Sequence, residues 1–167
     1  MQTILKYGSG LLRKKAIKYA KEELNSTLHS FIQEMYNTLE EYEGIGLAAP
    51  QVGVSKRLFV IEYSGIKAVY INPEILEKSS DIVEYEEGCL SVPGIYESVK
   101  RPESIKIQYL DEKFIQHTEV LNEVHARIFQ HEFDHLEGLL FVDKLSSLRK
   151  NLLKKKLKKI EKNEIEK

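Results

Sequence analysis

Two histidines stand four residues apart, with a glutamate after the first, in His131-Glu132-Phe133-Asp134-His135. On a helix, residues four apart share a face, so both imidazoles point to one spot where they can hold a metal ion. Glu132 is next to a ligand but rotated off the ligand direction, the place for a general base acting on water. A hydrolytic metal site needs three protein ligands and one open position, so the third ligand decides the class of chemistry. One class uses a histidine ten residues after the first, beyond a glycine. Gly138 is suitably placed, but that position is Phe141. Another class uses a glutamate on a later helix. Glu161, Glu164 and Glu166 are available, in a lysine-rich stretch with little apolar cover. The remaining candidate is Cys89, in Glu87-Gly88-Cys89-Leu90-Ser91 at the end of an expected strand. A thiolate binds transition metals well, although a lone cysteine is more often a small buried hydrophobe.

A third stretch, Gly44-Ile45-Gly46-Leu47-Ala48-Ala49-Pro50-Gln51-Val52-Gly53, is built of small residues with one amide side chain. Such a loop lets backbone come close to a ligand, and Gln51 can donate a hydrogen bond to a developing oxyanion.

These stretches need elements to position them. Leu28, Phe31, Ile32, Met35 and Leu39 form a helical apolar stripe, which predicts a helix from Asn25 to Glu43. Asn25 or Ser26 can cap its start, and Gly44 stands where a left-handed residue would end it. The runs 58–61, 69–71, 82–85 and 105–109 are β-branched and aromatic, which predicts strands, with turns at Ser64-Gly65 and Asp111-Glu112. The histidine pair falls on a helix from about Asn122 to Leu136, ended by Gly138. A last helix runs from Ser147 to about Lys162, with Leu148, Leu152, Leu157 and Ile160 toward the body. Strands grouped without a helix between each pair predict an α+β fold, mostly antiparallel, around the histidine helix with a helix at each end.

The 167 residues fit one domain, 1–167, whose basic helix covers about 147–167. With 42% hydrophobic and 31% charged residues, the composition excludes collagen-like, disordered and disulfide-scaffold classes. No apolar run approaches the ~18 residues of a membrane span. The start carries no basic-then-apolar signal, so a cytoplasmic protein is expected, in agreement with its single cysteine. Charge is uneven: residues 149–167 hold nine Lys or Arg and three Glu, leaving −7 for the rest of a chain whose net charge is −1. A basic tail on an acidic body suggests a polyanionic partner.

Taken together, Gly44 to Gln51, Glu87 to Ser91 and Gln130 to His135 resemble the three motifs of the peptide deformylases, in order and at family-like separations. Ile4-Leu5-Lys6-Tyr7 and Leu12-Arg13 are similar too. Gly8-Ser9-Gly10 stands where many members have a Pro-Asp turn, and Tyr96 where some have arginine. The resemblance implies that Cys89, His131 and His135 bind the metal and that Glu132 shuttles the proton. It implies that Gln51 and the Leu90 amide stabilise the oxyanion, and that Gly46 pairs with substrate through its backbone. Ile45, Val124 and Ile128 would wall a methionine pocket. The implied substrate is an N-formylmethionyl nascent peptide, and the implied metal is Fe(2+), with Zn(2+), Ni(2+) or Co(2+) able to replace it; the donor set alone reads as zinc. A monomer without membrane contact is expected, reaching the ribosome through the lysines of the last helix (Lys154, Lys155, Lys156, Lys158 and Lys159). Two rivals remain at this point: a zinc endopeptidase of another class and a non-catalytic, ribosome-associated metal-binding module.

Overall fold

The structure, a computed structural model, describes residues 2–163; Glu164, Glu166 and Lys167 of the sequence argument lie outside it. The element order is α1 (Ser26–Glu41), β1 (Gly46–Ala48), β2 (Leu58–Tyr63), β3 (Ile66–Lys78), β4 (Ile82–Cys89), β5 (Val92–Pro102), β6 (Ser104–Leu110), β7 (Gln116–Asn122), α2 (Glu123–Leu136) and α3 (Ser147–Glu161). Five strands pair antiparallel in the order β1-β2-β3-β6-β7, and β4 pairs antiparallel with β5 in a separate hairpin. The fold is α+β, as the grouping of strands predicts. Among the described residues, no helix is long and apolar enough to cross a membrane.

The five-stranded sheet is filled from both sides. Leu58, Val60 and Ile71 pack with Leu28, Ile32 and Met35 of α1, while Phe59, Ile61 and Tyr70 pack with Ala126, Ile128 and Phe129 of α2. That is why 58–61 is a continuous apolar run rather than an alternating one. The rings of Phe59, Tyr70 and Phe129 meet at 4.9–5.1 Å, and the Tyr70 hydroxyl lies 2.7 Å from Nε2 of His125. These contacts fix α2 over the sheet, and α2 also touches β1, β5, β6 and β7.

The C-terminal end of α2 is closed by the N-terminal arm and by Arg57. The Ala16 N–H donates to the Leu136 carbonyl at 2.8 Å, and the buried Arg57 donates to the same oxygen at 3.1 Å. Arg13 makes a two-pronged pair with Asp143, at 2.6 and 3.2 Å, across 130 residues of sequence. Carbonyls at a helix C-terminus lack intrahelical donors, and Ala16 and Arg57 supply them to Leu136 from distant segments.

Several local expectations hold. Asn25 caps α1, accepting from the N–H groups of Thr27 and Leu28. Ser64 and Gly65 both take positive φ (46° and 84°), the conformation of a tight two-residue hairpin turn. Asp111 orders its turn by accepting from the N–H groups of Lys113 and Ile115.

Two expectations are corrected. The left-handed residue after α1 is Glu43 (φ 53°), not Gly44. Gly44 serves close packing instead, since a Cβ there would lie 2.7 Å from Leu39 Cδ1 and 2.9 Å from Leu90 Cδ1. In α3, Leu148 and Leu152 are exposed (69% and 61%), and the inward line is Leu153, Leu157 and Ile160. Leu153, Leu157 and Ile160 pack with Val92, Ile95 and Val99 of β5 and with Leu140, Phe141 and Val142, which sets the inward edge. Arg149 at the exposed start of the helix pairs with Glu97 of β5 through Nε at 3.1 Å and through Nη2. Three strands were not anticipated: β1, β5 and β7. β5 carries Pro93, Gly94, Lys100 and Arg101, and β7 is an edge strand with a largely polar sequence.

The corrected face of α3 has a direct consequence. Leu153→Ala should lower the unfolding free energy by about 2–4 kcal/mol, as for other buried leucine truncations. Leu152→Ser should change it by less than about 0.5 kcal/mol. Urea denaturation of the two variants checks this, and equal losses would restore Leu152 to the inward face.

Candidate active site and metal centre

Three segments converge. His131 and His135 project from α2, Cys89 ends β4, and Gln51 lies on the short 3-10 turn Ala49–Val52 that follows β1. The ligand atoms of Cys89, His131 and His135 all lie within 4.8 Å of one another. Cys89 Sγ is 3.4 Å from His135 Nε2. Among the described residues this is the one cluster of its kind. Of the glutamate alternatives, Glu161 is exposed at the end of α3 and is not part of this cluster; Glu164 and Glu166 lie outside the described residues.

The cage around these ligands is organised by Glu87. Its carboxylate accepts from Arg101 Nε and Nη2 at 2.6 and 2.9 Å, from Arg127 Nη1 at 2.7 Å and from His131 Nδ1 at 2.8 Å. Holding Nδ1 in this way leaves Nε2 of His131 for a metal and fixes the ring's orientation. Arg101 also donates to Asp134 at 2.8 Å, so two guanidinium groups meet two carboxylates and the buried charges balance. Arg127 reaches further, to the carbonyls of Val99 and Val83 at 2.7 and 2.8 Å, and so pins both strands of the hairpin to α2. Burial alone would raise the Glu87 pKa; the hydrogen bonds from Arg101 and His131 outweigh it and hold the carboxyl far below its ordinary range.

The histidines differ. Burial pushes the pKa of His135 well down, helped by the charges of His131, Arg101 and Arg13. A neutral imidazole is the form that binds metal. Burial acts the same way on His131, but hydrogen bonds to Cys89 and Glu87 overcome it and hold its pKa well above the usual value. Phe141 stacks against His131 with centroids 5.9 Å apart, which closes that side to water.

Glu132 is 4% exposed, and its Oε2 has no hydrogen-bond partner. Burial pushes its pKa up to about 7, with Glu87 and Asp134 adding to the rise and His131 and Arg101 opposing it. Gly46 lies against this carboxylate so closely that a Cβ there would be 2.6 Å from Glu132 Oε1. The amide of Gln51 is oriented from both ends. Oε1 accepts from the Ala48 N–H at 2.9 Å, while Nε2 donates to Ser91 Oγ at 3.1 Å and points to Cys89 Sγ at 3.6 Å. Ile45 and Val124 are exposed at the surface, and Ile128 is buried in the cluster between α2 and the sheet.

The donor set fits a divalent transition metal: one thiol and two imidazoles converge, one imidazole is already braced by a carboxylate, and an unpartnered carboxylate oxygen is next to it. The sequence reading did not assign Glu87, Arg101, Arg127 or Ser91 a role. Two signals were available. Glu87 is two residues before Cys89 on a strand and so shares its face, and Arg127 is four before His131 on a helix.

Breaking the hub should uncouple the site from its support. Glu87→Gln leaves two buried guanidinium groups short of charge and should cost about 3–5 kcal/mol of stability. Metal affinity should fall about 10–100-fold, the usual penalty for losing a group that orients a ligand. Chemical denaturation and metal titration check both, and wild-type metal affinity would show that Glu87 does not orient His131.

A model of the polypeptide deformylase family matches residues 1–151. The peptide deformylase of Fusobacterium nucleatum is 43% identical over 160 residues, covering 95% of this chain and 92% of that protein. The peptide deformylase of Thermotoga petrophila is 44% identical over 157 residues, covering 94% of each. Among solved structures, the Plasmodium falciparum peptide deformylase in complex with an inhibitor superposes with a TM-score of 0.87 at 39% identity, over 95% of this chain and 98% of that one. With identity and coverage at this level over the segments that carry the cage, the chain belongs to the polypeptide deformylase family.

Proposed function

We propose that the chain hydrolyses the formyl group from the amino-terminal formylmethionine of nascent peptides, releasing formate, with Fe(2+) held by Cys89, His131 and His135. Zinc, nickel and cobalt suit the same donors. The observation that carries the reading is the buried Glu132 carboxylate, unpartnered at Oε2, beside a converged thiol and two imidazoles. A divalent ion bound there supplies Lewis acidity, polarising the formyl carbonyl and acidifying water. Glu132 takes a proton from the attacking water and passes it to the departing amine nitrogen. Its burial beside the three ligands, with Oε2 left unpartnered, suits both halves of that task.

Gln51 Nε2 and the Leu90 N–H donate to the oxygen that becomes negative. The placement of the Gln51 amide supports this: the Ala48 N–H holds its Oε1, and the Nε2 hydrogen directed at Cys89 Sγ is at the cage, where it can turn to the oxygen as charge develops. Gly46 pairs with the peptide through its backbone. In support, β1 is the end strand of its sheet and pairs only with β2, so its other edge can accept an extended peptide. Ile45, Val124 and Ile128 wall the methionine pocket. Such a pocket discriminates by only ~1–3 kcal/mol per methylene, so the formyl group must be selected by space, with no room for an acetyl methyl.

Neither rival reading gains support. An endopeptidase of another class needs a third His or Glu where this chain brings Cys89. A non-catalytic module would have no use for a buried, unpartnered Glu132.

The lysines of α3 are further proposed to draw the enzyme to the phosphate-rich surface of the ribosome. Lys154, Lys155, Lys156, Lys158 and Lys159 are all exposed, which supports the reading. We place the protein in the cytoplasm, as a monomer, where formylated chains emerge.

Two experiments test these assignments. Glu132→Gln should keep its metal yet lose roughly 10²–10⁴-fold in kcat on a formyl-Met peptide, the range for removing a general base. Cys89→Ser should weaken metal binding itself; near-normal turnover of the first or unchanged metal affinity of the second would sink the corresponding role. Separately, Lys155→Glu, Lys156→Glu and Lys159→Glu combined should reduce co-sedimentation with ribosomes at low salt, where phosphate contacts are strongest. Hydrolysis of a small formyl peptide should be unchanged by them. Equal co-sedimentation would leave α3 a structural helix only.

A further inference from the structure

Three consecutive residues of the N-terminal arm reach the two segments that carry Gln51 and Leu90. The Leu5 N–H donates to the Gln51 carbonyl at 2.7 Å, Lys6 Nζ donates to the Leu90 carbonyl at 3.0 Å, and the Tyr7 N–H donates to the Ser91 carbonyl at 2.8 Å. The arm therefore stitches the 3-10 turn after β1 to the tip of the β4–β5 hairpin. Lys6 is half-buried, with its ammonium 5.7 Å from the centre of the Tyr42 ring.

The hairpin tip needs such a restraint. Cys89 pairs with Val92, so Leu90 and Ser91 are the two turn residues. Two-residue hairpin turns favour positive φ at their central positions, because other turn types splay the strands. Neither Leu90 nor Ser91 has positive φ. The pairing also shifts register between Glu87 and Cys89. The turn is thus held from outside, by donors on both of its carbonyls, and the donor on Leu90 is a cation. The Leu90 carbonyl belongs to the Leu90–Ser91 peptide and the Leu90 N–H to the Cys89–Leu90 peptide; the two share the Leu90 Cα, so anchoring the carbonyls on either side of Ser91 restrains the turn that carries the N–H.

We propose that Lys6 is a positioning residue for deformylation: by anchoring the Leu90–Ser91 peptide it fixes the turn and the Leu90 Cα, so that the Leu90 N–H on the preceding peptide, together with the Gln51 amide, faces the developing oxyanion. The proposal rests on the reading of Gln51 and Leu90 as oxyanion donors. Lys6 acts through Leu90, and its effect falls on the chemical step rather than on substrate binding or metal capture.

The test compares Lys6→Met, Lys6→Arg and Gln51→Ala in the full-length, metal-loaded enzyme on a formyl-Met peptide, with metal content and thermal midpoint measured for each. Lys6→Met should lose about tenfold in kcat, short of the roughly 10²–10³-fold cost of deleting a direct donor. KM should stay within about twofold, the pattern of an interaction felt only in the transition state. Metal content and thermal midpoint should match the wild type, and Lys6→Arg should recover most of the rate. An unchanged kcat in Lys6→Met overturns the proposal. So does a rise in KM alone, a loss that tracks metal content or thermal stability, or an equal loss in Lys6→Arg. Gln51→Ala separates the two layers. If it keeps full kcat, the oxyanion reading fails and the Lys6 proposal with it. If it loses rate while Lys6→Met does not, only the role of Lys6 fails.

Discussion

One buried carboxylate governs the arrangement of this molecule. Glu87 accepts four hydrogen bonds from three cationic or potentially cationic side chains, two of them arginines that are themselves buried. Any one of these charges alone would be expensive to bury. Together they are compensated, and the partners come from three elements: Glu87 from β4, Arg101 from β5, Arg127 and His131 from α2. The hairpin and the helix are therefore positioned relative to each other by the geometry of a few oxygens and nitrogens rather than by apolar packing, which is tolerant of small slides. That tolerance matters at a site where Cys89 must meet His135 to within a few tenths of an ångström.

The same burial serves opposite ends for two glutamates. Glu87, fully paired, is held ionised, while Glu132, equally shielded but without a partner at Oε2, is pushed toward neutrality. The contrast arises within one short stretch of space, because the donors of Arg101 and Arg127 are used up on Glu87 and Asp134. The missing side chain of Gly46 is what allows β1 to lie directly against the Glu132 carboxylate. Stability is thus concentrated behind the ligands and reactivity in front of them.

Much of this was legible in the sequence. The period of Leu28 to Leu39 fixed α1, the β-branched runs located four strands, and the His-Glu-x-x-His spacing put both imidazoles on one face. Side chains with charge were harder to place. Glu87, Arg101 and Arg127 look like ordinary surface charges in one dimension, and their partnership exists only after β4, β5 and α2 meet. The strands β5 and β7 escaped because prolines and charges mask a weak alternation, and their pairing is decided by neighbours. In α3 the apolar residues suggest a broad inward face; packing on β5 and on residues 140–145, which lie elsewhere in sequence, selects the narrower one and leaves Leu148 and Leu152 outside.

The strap of the N-terminal arm across the end of α2 has a consequence for the order in which the molecule can form. Arg13 and Ala16 leave the synthesis machinery early, but Asp143 and Leu136 leave near the end. Contacts so distant along the chain are slow to close, because the intervening loop must lose its freedom first. The opening residues can meet the turn after β1 and the β4–β5 hairpin as soon as those segments exist, whereas the strap across α2 closes only when both of its halves do. The last contact the arm makes is therefore the one that seals the helix carrying both histidines.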